Sequence, residues 1–120
     1  MKILIVDDSK TMRLIVKRAL RQAGFEDHEV EEAGNGLEAL EMLKAGGIEV
    51  VLCDWNMPQM NGLALLNAVR EQGFDVKFGF VTSEGGPEIE KTAADAGALF
   101  LISKPFTADV LQRVLGPVLQ

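Results

Sequence analysis

Residues 49–62, EVVLCDWNMPQMNG, are the stretch that decides the fold. The four apolar residues 50–53 have the length and composition of a buried strand, and they lead directly into Asp54. The Pro and Gly that follow are typical of a loop. Because a carboxylate at the end of a buried strand is costly unless it is paired, Asp54 needs a partner from another part of the chain.

The composition is that of an ordinary globular domain. The chain has 120 residues, of which 48% are hydrophobic, so we interpret residues 1–120 as a single domain with a sufficient core. One cysteine excludes an internal disulfide and favours a reducing, cytoplasmic environment. The net charge of −6 argues against non-specific nucleic-acid binding. We expect neither a secretory signal nor a membrane-spanning segment.

Apolar runs of strand length alternate with amphipathic segments of helical period along the whole chain. The strands are predicted at residues 2–6, 28–32, 49–53, 76–82 and 98–103. The helices are predicted at 9–23, 35–44 and 63–72, from Pro87 onward, and from Thr107 to a break at Gly116. This βα alternation predicts a parallel sheet covered by helices on both faces.

Polar side chains follow four of the five predicted strands. Asp7 and Asp8 come after the first strand, Asp54 after the third and Lys104 after the fifth, while Thr82 ends the fourth. The carboxyl ends of parallel strands meet at one edge of the sheet, which is where open α/β sheets bind ligands. The sequence therefore predicts one site built from five separate residues.

The predicted site has the chemistry of phosphoryl transfer. Three carboxylates close together repel one another, and a hard divalent cation such as Mg²⁺, held by carboxylate, carbonyl and water oxygens, relieves that repulsion. Lys104 adds a positive charge and Thr82 a hydroxyl donor. A metal, an ammonium group and a hydroxyl around one carboxylate stabilise a transferring phosphoryl group, with Asp54 as the nucleophile.

Four segments of the chain resemble the signature segments of one family. They are ILIVDDSKTMR, VVLCDWNMPQMNG, FVTSEG and SKPF. In this order and spacing the whole chain resembles the receiver domain of two-component response regulators, and it is most similar to the stand-alone chemotaxis regulators. The resemblance implies an α/β, flavodoxin-like (βα)5 fold, with a doubly wound five-stranded parallel sheet in the order 2-1-3-4-5.

The resemblance also assigns roles to the predicted site. It implies that Asp54 is the phosphoacceptor and that Mg²⁺, or Mn²⁺ as a substitute, binds there. Asp8 is the expected direct ligand, Asp7 acts largely through water, and the backbone carbonyl of Asn56 is the third protein ligand. Glu84, together with the Asn56 side chain, occupies the positions that tune dephosphorylation in the family.

Two further roles concern the switch. Thr82 resembles the switch hydroxyl, and Lys104 resembles the lysine that contacts the phosphoryl group, followed by Pro105 at a position where the family commonly has a cis peptide. The family usually has Tyr or Phe three residues before this lysine, but the position is Leu101 in this chain. The neighbouring Phe100 is expected on the opposite face of the sheet unless a bulge intervenes.

The implied function is a phosphorylation-controlled signalling module that catalyses its own phosphorylation at Asp54 and its own dephosphorylation. The implied partners are a sensor histidine kinase or phosphotransfer protein, or a small phosphodonor, and a downstream protein target near the fourth helix, fifth strand and fifth helix. We expect no nucleic-acid partner and no membrane insertion. The expected state is a monomer, and a phosphorylation-linked dimer is left open.

Three other classes of protein are alternatives to this hypothesis. A phosphatase of the haloacid dehalogenase type requires a second Asp two residues after the nucleophile, where this chain has Asn56. A flavin or nucleotide binder requires a glycine-containing phosphate loop after the first strand, where this chain has DDSKTMR. A phosphate-independent interaction module on the same fold is the alternative that Leu101 keeps open.

Several polar residues also have purely structural interpretations. Asp8 alone would be a good cap for the first helix. Cys53 is expected in the core and His28 at the surface. Trp55 is expected to flank the site as an apolar wall.

Overall fold

The computed structural model describes residues 2–119, in which five strands alternate with five helices. The strands are β1 (Lys2–Val6), β2 (Glu29–Ala33), β3 (Val50–Cys53), β4 (Lys77–Thr82) and β5 (Phe100–Ser103). The helices are α1 (Lys10–Gln22), α2 (Gly36–Ala45), α3 (Gly62–Glu71), α4 (Pro87–Asp95) and α5 (Ala108–Leu115). The predicted elements are confirmed, with ends that differ from the prediction by one or two residues.

The strands form one parallel sheet in the order β2-β1-β3-β4-β5. The predicted flavodoxin-like fold is therefore confirmed. All five strands run the same way, but the connection after β1 leads to α1 on one face of the sheet and the connection after β3 leads to α3 on the other. The two loops therefore diverge and leave a crevice at the carboxyl ends of these strands. Within residues 2–119, no helix is both long and apolar enough to cross a membrane.

The core consists of two layers, one on each face of the sheet. On one face α1 and α5 pack against alternate strand residues such as Ile5 and Leu52. On the other face α2, α3 and α4 pack against the residues between them, such as Leu4, Phe78 and Phe80. Each central strand alternates between the two layers because successive side chains of a strand point to opposite faces.

The starts of four helices are fixed by side-chain caps. Ser9, Asn35, Asn61 and Thr107 each accept a hydrogen bond from the backbone amide three residues later. At α2 the Glu38 carboxylate reaches back and accepts from the amide of Gly34, so the start of this helix resembles a capping box shifted by one residue. Because Ser9 caps α1, Asp8 is released from the structural role that the sequence allowed it.

The aromatic residue of β5 lies on the face predicted for it. β4 and β5 pair in continuous register from Gly79–Phe100 to Thr82–Ser103, so the described pairing contains no bulge. The Phe100 ring packs in the layer of α1 and α5, and Leu101 packs in the opposite layer. A Cβ on Gly79 would stand 2.2 Å from the ring, so glycine is required there and the ring covers it.

His28 departs from the expectation that it lies at the surface. The side chain is half-buried beside the Phe25 ring, with the two ring centroids 6.1 Å apart. The turn that ends α1 brings the two residues together, because the His28 amide donates to the Phe25 carbonyl at 3.2 Å. Its Nδ1 atom is buried and has no hydrogen-bond partner among residues 2–119.

Candidate functional site

Three predicted site residues lie immediately after a strand and are still held by the hydrogen-bond ladder of the sheet. The amide of Asp7 donates to the carbonyl of Ala33 at 3.1 Å, and that of Asp54 to Val6 at 2.9 Å. The amide of Lys104 donates to Thr82 at 2.8 Å. Because each backbone is anchored to the neighbouring strand, all three side chains start from fixed positions at one edge of the sheet.

Asp7 is buried, with 4% of its surface exposed, and both of its carboxylate oxygens have partners. Oδ1 accepts from the Ser9 amide at 2.9 Å, and Oδ2 accepts from Nζ of Lys104 at 3.0 Å. A buried charge requires partners of this kind. The Asp7 carboxylate is therefore fixed in orientation, which fits a residue that would act on a cation mainly through water.

Asp54 lies between groups of both signs. Its Oδ2 atom is 3.8 Å from the ammonium of Lys104, and 13% of its side-chain surface is exposed. Burial raises the pKa of Asp54 above its ordinary value, and the charge of Asp7 acts in the same direction. Lys104, the Trp55 amide and the Thr82 hydroxyl oppose this increase in pKa. The local environment therefore makes the ionised carboxylate of Asp54 less favourable than that of an exposed Asp, and further positive charge would offset this.

Asp8 is exposed, and together with Asp7 and Asp54 it forms an acidic cluster. One oxygen from each carboxylate lies within 4.8 Å of the other two. The oxygen donor set and the uncompensated charge at Asp54 suit a hard divalent cation such as Mg²⁺. The residues present therefore fit the ion that the sequence predicted.

Thr82 ends β4 and is completely buried. Its hydroxyl oxygen accepts a hydrogen bond from the amide of Glu84 at 3.1 Å, which leaves the hydroxyl proton available as a donor. The side chain faces the Asp54 site closely enough to lower the pKa of that carboxyl. Thr82 therefore connects the site to the loop between β4 and α4.

The loops on either side of the site are joined by a side-chain hydrogen bond. Nδ2 of Asn56 donates to Oε1 of Glu84 at 2.6 Å, across 28 residues of sequence. Sequence reasoning gave the Asn56 side chain no contact, because nothing in a single sequence specifies which two loops face each other. Both residues are exposed, so the bond lies at the entrance of the site.

The walls of the site are apolar and tightly packed. Trp55 is half-buried and its ring packs edge-on against Phe80, with centroids 4.8 Å apart, as expected of an apolar wall. α3 begins so close to the site that a Cβ on Gly62 would stand 2.3 Å from the Asp54 carbonyl oxygen. Cys53 is buried in the core as predicted. Burial raises the pKa of its thiol well above the ordinary value.

Sequence reasoning missed one cation near the site. Nη1 of Arg13, on α1, donates to the backbone carbonyl of Asp7 at 2.6 Å, and its Nε donates to Glu32 on β2 at 3.0 Å. The only sequence signal is a cation six residues after an acidic residue at a strand end.

The Lys104–Pro105 bond is cis, as the resemblance implied.

The chain is similar to known proteins of one family over nearly its full length. Residues 3–115 match the response regulator receiver domain family. The chemotaxis protein CheY1 of Helicobacter pylori is 46% identical, over 99% of this chain and 97% of that protein. A CheY homolog of Campylobacter jejuni is 47% identical, over 99% and 92% respectively. The structure of chemotaxis protein CheY4 from Vibrio cholerae superposes with a TM-score of 0.85 at 35% identity, covering 98% and 97% of the two chains.

Proposed function

This chain belongs to the response regulator receiver domain family, and on that premise we propose that it is a phosphorylation-controlled signalling module whose phosphoacceptor is Asp54. The proposed output is a contact with another protein, in a pathway like that of the chemotaxis relatives. Residues 1–120 act as one receiver domain in this proposal.

The observation that carries the proposal is the set of groups around Asp54. Two further carboxylates lie within 4.8 Å of it, and the Lys104 ammonium is 3.0 Å from Asp7 and 3.8 Å from Asp54. A structural ion pair would need only one acid for one cation. The excess of negative charge is explained if the site binds a cation and then a phosphoryl group.

In the proposed reaction, a carboxylate oxygen of Asp54 attacks the phosphorus of a phosphohistidine. The P–N bond breaks as the O–P bond forms, and the departing imidazole takes a proton from solvent. Water later attacks the same phosphorus and releases inorganic phosphate, which regenerates the carboxylate. A small phosphodonor such as acetyl phosphate would serve in the same way, with acetate as the leaving group.

The proposed metal ligands are Asp8, Asp54 and the backbone carbonyl of Asn56, with Asp7 acting through water. Bound Mg²⁺ supplies positive charge for the phosphoryl oxygens and favours the ionised, nucleophilic form of Asp54. Asp7 is already oriented by hydrogen bonds from the Ser9 amide and from Lys104, and the bond from the Ser9 amide would remain if Lys104 turned away.

Lys104 and Thr82 are proposed to detect the phosphoryl group. The Lys104 ammonium contacts Asp7 in this structure and would turn to a phosphoryl oxygen, a short movement because Asp54 is already 3.8 Å away. The Thr82 hydroxyl, which already faces Asp54, would donate its proton to the same group. Through the Glu84 amide bond, movement of Thr82 would be transmitted to the loop before α4.

Two surface pockets are proposed to receive the protein partners. One, of about 410 Å³, lies beside Lys104 and has an almost entirely apolar lining from residues such as Met12, Ile15 and Phe106. A sensor histidine kinase or phosphotransfer protein would approach Asp54 from there. The other, of about 240 Å³, lies between α4 and β5, and the exposed Leu99 is at its rim. The downstream protein target is proposed to bind at this second pocket.

A phosphate-independent interaction module is the second candidate, and one observation favours it. The aromatic ring that the family carries at the position of Leu101 is absent, and the neighbouring Phe100 ring is held against Gly79 in the opposite layer. The described β5 therefore has no ring that could turn inward beside Thr82. In this alternative the α4–β5 surface binds its partner whatever the state of Asp54.

The decisive experiment uses Trp55, the only tryptophan, as a fluorescent reporter beside Asp54. We expect a saturable change on titration with Mg²⁺, and then a second change with beryllofluoride or acetyl phosphate that Asp54→Asn abolishes. Intact mass spectrometry should detect the phosphoryl group in the wild type alone. A wild-type protein with neither change and no added mass would overturn the proposal and favour the interaction module.

A further inference from the structure

The backbone of Asp7 is held by a second bond besides the sheet ladder. Its amide donates a hydrogen bond to the carbonyl of Ala33, and its carbonyl accepts one from Nη1 of Arg13 at 2.6 Å. Asp8 follows directly and has no side-chain hydrogen bond within residues 2–119. The position of the exposed Asp8 carboxylate therefore depends on how firmly the Asp7 carbonyl is held.

The same guanidinium group is fixed at its other end by β2. Nε of Arg13 donates to Oε1 of Glu32 at 3.0 Å, and Nζ of Lys17 lies 3.6 Å from the other oxygen of that carboxylate. The Arg13 side chain is 16% exposed. A guanidinium is planar and rigid, so these two bonds together fix the distance between β2, α1 and the end of β1.

The acidic cluster needs such a brace because its members repel one another. One oxygen from each of the Asp7, Asp8 and Asp54 carboxylates lies within 4.8 Å of the other two. Without a cation, their repulsion favours movement of the loop that carries Asp8 away from Asp54. Mg²⁺ requires nearly ideal octahedral geometry, so a small displacement of one ligand lowers its affinity.

We propose that Arg13, held by Glu32, is a positioning residue that keeps the Asp7–Asp8 segment in place for divalent-cation binding. This inference rests on the proposed function, since it concerns the same cation. Arg13 does not contact the cation in this scheme. It acts through the backbone carbonyl of Asp7, in the way that residues behind metal ligands orient them elsewhere.

The positioning role and a simple charge effect predict opposite results. If Arg13 acted only as a nearby positive charge, it would repel Mg²⁺, and removing the charge would strengthen binding. If Arg13 positions the segment, losing the rigid fork weakens binding even when the charge is kept. Arg13→Lys keeps the charge and loses the fork, while Arg13→Met loses both.

Arg70 provides a matched control at the other edge of the sheet. Its guanidinium also bonds backbone carbonyls, those of Phe74, Val76 and Gly97, at 2.9 to 3.3 Å. Arg70→Met therefore removes a brace of the same kind that has no connection with the acidic cluster. A loss of Mg²⁺ affinity caused only by general destabilisation would appear in this variant as well.

The test is a Mg²⁺ titration followed by Trp55 fluorescence, without any phosphodonor. We expect Arg13→Lys and Arg13→Met to weaken Mg²⁺ binding about tenfold, and Arg70→Met to stay within about twofold of the wild type. Glu32→Gln should weaken binding in the same direction. Combining it with Arg13→Lys should add little, because the two residues act as one unit. Amide hydrogen exchange at Asp8 and Ser9 in Mg²⁺-free protein should be faster in Arg13→Lys.

The outcomes separate the two proposals. A wild type without a saturable Mg²⁺ response would overturn both the proposed function and this inference. A normal wild-type response with unchanged affinity in Arg13→Lys, or tighter binding in Arg13→Met, would overturn only the positioning role. If Arg13→Met does not fold, Arg13→Lys and Glu32→Gln give the result alone, since both keep a side chain of similar size.

Discussion

The two edges of the sheet use charged residues in opposite ways. At the amino ends of the strands, Lys77 donates to the carbonyl of Val118 at 2.8 Å and Arg70 donates to three carbonyls. Lys2 lies 3.5 Å from Glu31 across β1 and β2. Each of these cations meets an acceptor, and among the described residues no group of three acidic side chains comes together at this edge.

At the carboxyl ends the charges conflict. One ammonium, that of Lys104, faces both Asp7 and Asp54, and Asp8 adds a third carboxylate. Burial raises the pKa of Asp54, and the opposing effects of its neighbours do not cancel this increase. The difference teaches that the amino edge is arranged for stability, while the carboxyl edge gives up stability for an arrangement that an added cation can complete.

The largest expected difference comes from removing one lysine at each edge. Lys104→Met leaves Asp7 and Asp54 without their cation and should lower the free energy of unfolding at pH 7 by about 3 kcal/mol. Lys77→Met removes a single hydrogen bond to a carbonyl and should cost about 1 kcal/mol. Urea unfolding of both variants measures the difference. Mg²⁺ should restore much of the stability lost in Lys104→Met and none of that lost in Lys77→Met. Equal losses of stability in the two variants would contradict the difference between the two edges.

Between the two edges, packing rather than charge decides which side chains the sheet can accommodate. Gly79→Ala places a Cβ 2.2 Å from the Phe100 ring and should destabilise the protein by about 2 kcal/mol. The loss should be the same with and without Mg²⁺, and Phe100→Leu in the same chain should recover part of it. A loss in thermal unfolding that depends on Mg²⁺ would show that this pair is coupled to the carboxyl edge.

Removing the charge of Asp54 should raise the stability of the protein, whereas the preceding substitutions lower it. Because the pKa of Asp54 is raised in the folded protein, the folded state binds this proton more tightly than the unfolded chain does. Stability from this group therefore decreases as pH rises from the ordinary Asp pKa through the raised value. Asp54→Asn should stabilise the protein at pH 7 by roughly 1 kcal/mol. In urea unfolding, the gain should disappear below the ordinary Asp pKa, and a gain that persists there would contradict the charge explanation.

The smallest expected effect concerns the exposed bond between Asn56 and Glu84. Asn56→Ala should change the free energy of unfolding by no more than about 0.5 kcal/mol, because both side chains are exposed. Mg²⁺ affinity, measured by Trp55 fluorescence, should stay within about twofold, because the proposed ligand is the backbone carbonyl. A large loss of affinity would show that the side chain itself orients the site.

Much of the fold follows from patterns that a sequence carries openly. Apolar runs alternating with helical periods predicted every strand and helix, and the period of two placed Phe100 and Leu101 on opposite faces. The strand order 2-1-3-4-5 came from the resemblance to the family, since alternation alone leaves several orders possible. The strand ends then brought Asp7, Asp54 and Lys104 to one edge.

The contacts within that edge were beyond the sequence. Which acid Lys104 contacts more closely depends on side-chain rotamers, and the structure shows that it is Asp7. The Arg13–Glu32 pair depends on the register of β1 and β2, in which Ile5 lies opposite Glu32. No periodicity reports that register, because β2 is a partly exposed edge strand with weak apolar character.

The buried thiol of Cys53 can report how often the centre of the sheet opens. The residue has no exposed surface, and its Sγ donates to the carbonyl of Asp54 at 3.1 Å. Electrophiles cannot reach it, and the raised pKa of the thiol keeps the reactive thiolate scarce. Alkylation must therefore wait until β3 separates from its neighbours. The labelling rate of this single thiol measures how often β3, the strand that leads into the proposed phosphoacceptor, opens.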